Sequence, residues 1–287
     1  MKVGILGSPR GWHVQALQRA LERRGLEATC LPITRLVARI ADRPWLRSRE
    51  EALDSYDVLF VRAIPGGSLE QIIFRVDALH RLENAGIRVV NPPTTIERTV
   101  DKYYTSSLLE DAGLPTPRTV VTERFDEALL AFQELGGDVV VKPLFGSEGR
   151  GMVRVSDQDT AYRVFRALEL GRYVYYLQEF IPHYNEDIRA FVIGDEVVAA
   201  MVRRSDSWKT NVAQGAEAEP LTLSAELEEM SLRAARVLGT VYAGVDILRS
   251  EDGDFYVTEV NGIPGWTKLQ KVTGVDVADL LVARVVG

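Results

Sequence analysis

The stretch Phe255-Tyr256-Val257-Thr258-Glu259-Val260-Asn261-Gly262-Ile263-Pro264-Gly265, with Val245-Asp246-Ile247-Leu248 a few residues upstream, is the most informative part of this chain. Successive side chains on a strand point to opposite faces, so Glu259 and Asn261 share one face and present oxygens to the same object. Asp246, on the expected hairpin-mate, adds a carboxylate. Two acidic groups and an amide oxygen form a hard donor set of the kind that suits Mg²⁺, which takes one or two carboxylates and completes its shell with water and phosphate oxygens. The end of the chain therefore points to nucleotide chemistry.

Bulk properties narrow the class. The chain has 287 residues, 46% hydrophobic and 26% charged, enough for one large domain or two to three small ones. With a formal net charge of −7 and no basic run, a nucleic-acid partner is not expected, although a local positive cleft for phosphate is compatible with that balance. Cys30 is the only cysteine, which excludes an intramolecular disulfide and a cysteine-based zinc cluster. His13, His80 and His183 are scattered without metal-ligand spacing and give no support to a Ser/His/Asp triad. Met1 to Leu6 lacks the longer apolar region of a secretory signal, and no run approaches the ~20 apolar residues of a membrane span, so no membrane partner and a cytoplasmic location are expected.

Moving outward, the first third alternates strand and helix in the manner of a parallel α/β unit. Lys2 to Leu6 and Val58 to Val61 read as buried strands, and Val14 to Arg24 and Ser68 to Leu82 as helices. Gly4, Gly7 and Gly11 do not form G-x-G-x-x-G and fit a tight strand-to-helix turn. Asn91-Pro92-Pro93 marks a break. Helices are then expected over Thr99 to Ala112, Phe125 to Leu135, Thr160 to Leu170, Leu223 to Leu238 and Val275 to Val285. Strands are expected over Arg118 to Val121, Val139 to Pro143 with Met152 to Val155 as hairpin-mate, Tyr173 to Ile181, Ile188 to Ile193 and Val197 to Val202, the later ones antiparallel. Ser205 to Ala218 is the most loop-like stretch.

Lys142 ends a strand that runs into Phe145-Gly146-Ser147-Glu148-Gly149-Arg150-Gly151. Glycines let a hairpin tip approach phosphate oxygens and offer backbone N–H donors, and the lysine adds a point charge; the alternative is an ordinary glycine-rich hairpin. It is neither a Walker A loop nor the kinase arrangement, in which the lysine follows the glycines. Gln178-Glu179-Phe180-Ile181 ends an apolar strand, which suits either an adenine slot or plain sheet. Asp187-Ile188-Arg189 and Arg203-Arg204 place charges on otherwise apolar strands, where they serve function or edge solubility. Arg62, beside Gly66-Gly67-Ser68, either receives an anionic acceptor or belongs to a helix N-terminal turn capped by Ser68.

Taken in order, Lys102, Lys142 with its glycine loop, Gln178-Glu179, Asp187-Ile188-Arg189, Arg203-Arg204, Asn211, Gly244-Val245-Asp246 and Glu259-Val260-Asn261 resemble the RimK-like ATP-grasp ligases, which include α-L-glutamate ligases and LysX-type enzymes. The resemblance spans nearly the whole chain. It implies an α/β fold, α+β toward the C-terminus: an N-terminal parallel pre-ATP-grasp domain over 1–96 and two ATP-grasp subdomains over 97–180 and 181–287 enclosing the nucleotide. It further implies that Lys102, Lys142, Gly146, Ser147, Gly149, Gly151, Lys209 and Asn211 face ATP phosphates, and that Gln178, Glu179, Phe180, Ile181 and Asp187 hold adenine and ribose. Arg189 and Arg204 would face the reacting groups, and Asp246, Glu259 and Asn261 would hold Mg²⁺, or Mn²⁺ in its place. The implied reaction is ADP-forming carbon–nitrogen ligation through an acyl phosphate, adding L-glutamate to a pterin-type coenzyme, a peptide or a protein. The alternatives are a phosphotransferase on the same fold and a LysX-type ligase acting on an amino-group carrier protein. A homo-oligomer is expected. Where glutamate-adding relatives carry Arg-x-Asn, this chain has Lys209-Thr210-Asn211, which puts acceptor recognition in question.

Overall fold

The computed structural model describes residues 1–146, 149–210 and 216–287. The chain opens with β1 (Val3–Leu6), α1 (Trp12–Glu22) and β2 (Ala28–Leu31), followed by a small antiparallel sheet of β3 (Leu36–Ala38), β4 (Leu46–Ser48) and β5 (Glu51–Ala52). Then come β6 (Val58–Val61), α2 (Leu69–Asn84) and β7 (Arg88–Val90). β2-β1-β6-β7 is a parallel sheet in that order. β1 and β6 are buried at every position, as strands covered on both faces must be. Ser68 caps α2 through a reciprocal capping box with Gln71. The small sheet has no counterpart among the sequence expectations, because strands of two or three residues are too short to show a period.

The single helix expected over Thr99 to Ala112 is two: α3 (Pro93–Val100), opened by proline in its first turn, and α4 (Lys102–Asp111). Asp101 has extended backbone and accepts from the Tyr104 N–H at 3.1 Å, so it ends one helix and caps the next. Lys102 thereby becomes the first residue of α4.

The central sheet is built from β8 (Thr119–Thr122), β9 (Val139–Lys142), β10 (Val153–Val155) and β11 (Tyr175–Glu179), all antiparallel in the order β10-β9-β11-β8. Helices α5 (Phe125–Glu134) and α6 (Gln158–Leu170) cover one face through Ala128, Phe132, Phe165 and Leu177.

The C-terminal part contains β12 (Glu186–Ile193), β13 (Glu196–Arg204), β14 (Glu217–Pro220), α7 (Ala225–Leu238), β15 (Tyr242–Arg249), β16 (Phe255–Asn261), α8 (Thr267–Thr273) and α9 (Val277–Val286). The strands form one antiparallel sheet ordered β14-β13-β12-β15-β16. Glu217 and Ala218, expected as loop, pair with Arg204 and Arg203. One face of this sheet is apolar and packs on α7 through Ala190, Val245, Ile247, Val257 and Val260. The other face is divided. Phe191, Ile193, Met201 and Tyr242 join Trp266, α9 and the N-terminal elements in one core, while the far end of the same face carries charge.

Candidate active site

Register dictates what that charged end contains. Asp187 and Arg189 lie two apart on β12, Arg203 is opposite Asp187, Asp246 is opposite Arg189, and Glu259 is opposite Asp246. Directly opposed residues of an antiparallel pair point to one face, so these five side chains converge. Asn261, opposite Gly244, continues the row. Arg204 is one residue out of phase. It lies on the opposite face, more than half exposed, paired with Glu186 at 3.1 Å and Glu219 at 2.5 Å. The structure thus brings Arg203 to the cleft and leaves Arg204 out of it, because a shift of one residue on a strand reverses the face.

A bulge makes the arrangement work. Ile247 pairs with Val257 but Asp246 pairs with Glu259, which leaves Thr258 as the extra residue on β16. In a regular strand Val257 and Glu259 would share a face. With Thr258 inserted, Val257 is 1% exposed against α7 while Glu259 lines the cleft.

Charge pairing within the row is uneven. Arg203, 4% exposed, donates to Asp187 at 2.7 Å and reaches Asp246 at 2.9 Å. Arg189 forks onto the same Asp246 carboxylate, with one contact at 2.6 Å. Burial works to raise the Asp246 carboxyl, but Arg189 and Arg203 overcome it and hold it below the ordinary carboxylate range. Asp187 is pushed up by burial against the pull of Arg203. Glu259 makes no ion pair within 4.0 Å among the described residues. Burial, then the neighbouring Asp246 charge, pushes its carboxyl up despite Lys102, Arg189 and Lys142.

The central sheet supplies the opposite wall. Lys142 donates to Gln178 Oε1 at 2.5 Å, and Gln178 in turn donates to Thr119 Oγ1 at 3.0 Å and the Tyr176 hydroxyl at 3.3 Å, which fixes the amide. Burial pushes the Lys142 ammonium down to about 8, with Glu259 and Asp246 opposing and Lys102 contributing. Lys102, also lowered by burial, donates to the Gly146 carbonyl at 2.8 Å, and Lys209 to the Met152 carbonyl at 2.7 Å. Both lysines therefore meet the two ends of the glycine hairpin. Gly149 and Gly151, at φ 68° and 77°, lie in the left-handed region that favours glycine. Ser147 and Asn211 fall outside the described residues.

Between the walls is an open cleft lined by Lys102, Lys142, Gln178, Glu179, Phe180, Ile181, Asp187, Lys209, Asp246 and Glu259 among others. Glu179 is held by the Arg118 N–H at 2.7 Å. Sequence reasoning missed His183 and Trp208. The imidazole of His183 sits between the carbonyls of Ile181 at 2.7 Å and Trp208 at 3.2 Å, closing the apolar end of the cleft. Neither residue belongs to a motif in the sequence. Arg62, the other residue singled out as an anion receiver, is already engaged, donating to the Tyr242 hydroxyl at 2.9 Å and the Pro264 carbonyl at 2.8 Å.

The donor set fits a hard divalent cation in one specific way. Glu259 is the carboxylate left without a cation partner among the described residues, and Asn261 lies beside it. When its amide nitrogen is turned toward Glu259, Asn261 donates to Oε1 at 3.1 Å and accepts from Arg189 at 3.3 Å; turned the other way, two bare oxygens face each other. Turning that amide so that its oxygen joins the Glu259 carboxylate would offer both oxygens to one cation. Asp246 is saturated by two guanidinium groups in this arrangement and would have to share an oxygen to contribute.

Comparison with known proteins points to one family. A sequence model of the RimK-like ATP-grasp domain matches residues 99–285. The tetrahydromethanopterin:α-L-glutamate ligase of Methanocaldococcus jannaschii is 39% identical over 293 residues, covering 100% of this chain and 98% of that protein. The α-aminoadipate–LysW ligase LysX of Sulfurisphaera tokodaii is 34% identical over 209 residues, covering 71% of this chain and 73% of its own. Among solved structures, the ATP-grasp ligase PsnB with minimal precursor, Mg and ADP superposes with a TM-score of 0.77 at 23% identity, covering 99% of this chain and 96% of that one.

Proposed function

The chain belongs to the RimK-like ATP-grasp family of ligases, and we propose that it joins L-glutamate to a free carboxylate of a pterin-type coenzyme, using ATP and Mg²⁺. The observation that carries the substrate assignment is 39% identity to a tetrahydromethanopterin:α-L-glutamate ligase over 100% of this chain and 98% of that protein. A carboxylate is a poor acyl donor, so an acceptor carboxylate oxygen attacks the γ-phosphorus and ADP departs with the bridging oxygen. The glutamate amine then attacks the acyl carbon, phosphate leaves, and the amine loses a proton. No nucleophilic side chain is needed.

Each wall has a task in this scheme. Lys102, Lys142 and Lys209 exchange the neutral carbonyl oxygens they now meet for phosphate oxygens, a stronger, charge-assisted contact. Gly149 and Gly151, in the loop that follows Lys142, lie over the phosphates, and the segment Glu179–Ile181 with His183 holds the base. Arg189 faces the phosphoryl group in transfer, and Arg203 holds Asp187 and Asp246 in place behind it. Glu259 and Asn261 would hold Mg²⁺, which when bound neutralises charge developing on the phosphates.

The test is incubation with ATP, Mg²⁺, L-glutamate and a tetrahydropterin acceptor bearing a free carboxylate. One ADP released per glutamyl residue in the product mass supports the reading, as does hydroxamate formation when hydroxylamine replaces glutamate. A second reading, a LysX-type ligase acting on a small carrier protein, draws on 34% identity to LysX over 71% of the chain. Glutamate-dependent ADP release with such a carrier and none with any pterin would favour it. A cytoplasmic homo-oligomer is part of the proposal, read out by light-scattering mass; among the described residues no helix is long and apolar enough to cross a membrane.

A further inference from the structure

In an open parallel sheet, ligands bind outside the carboxyl ends of the strands where the strand order reverses. Here that point lies between β1 and β6, since the chain leaves β1 for β2 on one side and returns to β6 on the other. The crevice is filled by the chain itself. The loop Gly262–Trp266, which directly follows Asn261, lies across it, and three residues at the carboxyl ends of the parallel strands each hold one of its backbone groups. His13, in the first turn after β1, accepts from the Trp266 N–H at 3.0 Å. Arg62, immediately after β6, donates to the Pro264 carbonyl at 2.8 Å. Asn91, immediately after β7, donates to the Gly262 carbonyl at 2.6 Å.

The attachments are specific and largely dry. Asn91 is 0% exposed and its amide is fully used, donating also to the Tyr242 carbonyl at 2.8 Å and accepting from the Val241 N–H at 2.6 Å. The Arg62 guanidinium lies 4.5 Å from the Trp266 ring centre and donates to the Tyr242 hydroxyl at 2.9 Å. Trp266 is 1% exposed and packs edge-on to His13 and Phe191. Gly262 fits so closely that an added Cβ would come within 2.3 Å of Thr99 Oγ1. None of these residues lines the cleft.

We propose that Arg62 and Asn91 are positioning residues for the cation site: the N-terminal sheet has given up its own ligand crevice and uses it to clamp the Gly262–Trp266 loop, which fixes Asn261 and Glu259 at the end of β16. The proposal rests on the reading of Glu259 and Asn261 as cation ligands. It assigns Arg62 to the metal end of the reaction and removes it from acceptor binding. Partners that orient metal ligands typically change metal affinity 10–100-fold when removed.

The test measures binding without turnover, so it does not depend on which acceptor or amino acid the enzyme uses. Mg²⁺ is titrated calorimetrically into the complex of the full chain with AMPPNP, and AMPPNP binding is measured separately in EDTA. Arg62→Met, which removes the guanidinium with its hydrogen bonds to the loop and its cation–π contact on Trp266 but keeps an apolar stem, should weaken Mg²⁺ binding about tenfold, leave metal-free AMPPNP affinity within twofold, and red-shift tryptophan emission as Trp266 loosens. Tyr242→Phe removes only the hydroxyl that Arg62 meets and should move Mg²⁺ affinity in the same direction by about threefold, which keeps the test alive if Arg62→Met does not fold. Unchanged Mg²⁺ affinity in a folded Arg62→Met protein overturns the proposal, and a raised KM for the acceptor alone would return Arg62 to acceptor binding. Absence of Mg²⁺ binding in the unmodified protein would instead sink the cation-site reading itself.

Discussion

Replacing Glu259 by Gln should stabilise the nucleotide-free protein while removing its metal-dependent function. Glu259 is the carboxylate of the cleft without an ion pair among the described residues, and burial, reinforced by Asp246, raises its pKa above the ordinary 4.5. A raised carboxylate pKa means that the folded protein binds the proton more tightly than the unfolded chain. The associated stability is full below about pH 4.5 and is lost as pH rises from there through the folded-state pKa. Above that range the group therefore costs stability. Leaving a buried polar or charged group poorly compensated costs about 1–3 kcal/mol. At roughly 2–4 °C per kcal/mol for larger domains, Glu259→Gln should raise the thermal midpoint by roughly 2–12 °C at pH 7.5, with the gap closing at pH 4.5. With Mg²⁺ and AMPPNP present the order should reverse, because only the unmodified protein gains the ligand-binding stabilisation. Turnover should fall about 10²- to 10³-fold, the scale for losing one preorganised electrostatic stabiliser. Differential scanning fluorimetry at both pH values, with and without ligands, reads all of this. A lowered midpoint for the ligand-free variant, or Mg²⁺-dependent stabilisation equal to that of the unmodified protein, would refute the reasoning.

Other outcomes follow from the same geometry. Phosphates should raise the Lys142 pKa from about 8, so AMPPNP affinity in EDTA should be flat below pH 8 and weaken by up to about tenfold per unit above it, a slope that Lys142→Met removes. Arg203→Met, which strands Asp187 and part of Asp246, should cost about 3–5 kcal/mol in urea unfolding, whereas Arg204→Met on the exposed face should stay within about 0.5 kcal/mol and retain turnover. Gly262→Ala should cost about 1–3 kcal/mol through its clash with Thr99, and adding Thr99→Ala should restore at least half of that, measured as a double-mutant cycle.

Much of the fold was legible because its strands and helices are long enough to show a period. Strands β12, β13, β15 and β16 of the C-terminal sheet, the capping Ser68 and the Lys142 hairpin lie within a few residues of where periodicity and turn chemistry put them, whereas β14 falls partly in the stretch expected as loop. The sheet Leu36 to Ala52 was not legible, since its strands are shorter than any period. The break at Asp101 escaped notice because an aspartate inside a helical pattern looks the same whether it caps or is solvated.

The sequence by itself determined the ingredients of the site: two lysines before a carboxylate-rich hairpin, a glycine loop, and an ordered set that marks the family. Local order along the chain is enough for these, since the side-chain types and strand phase are written residue by residue. Tertiary structure decided which of those side chains meet. Register across β13, β12, β15 and β16 put Arg203 in the cleft and Arg204 outside it, and the Thr258 bulge turned Glu259 away from Val257. Pairing between distant strands also consumed the charge of Asp246 and left that of Glu259 free of ion pairs among the described residues. Such balances depend on distances between segments far apart in sequence, which no local pattern encodes.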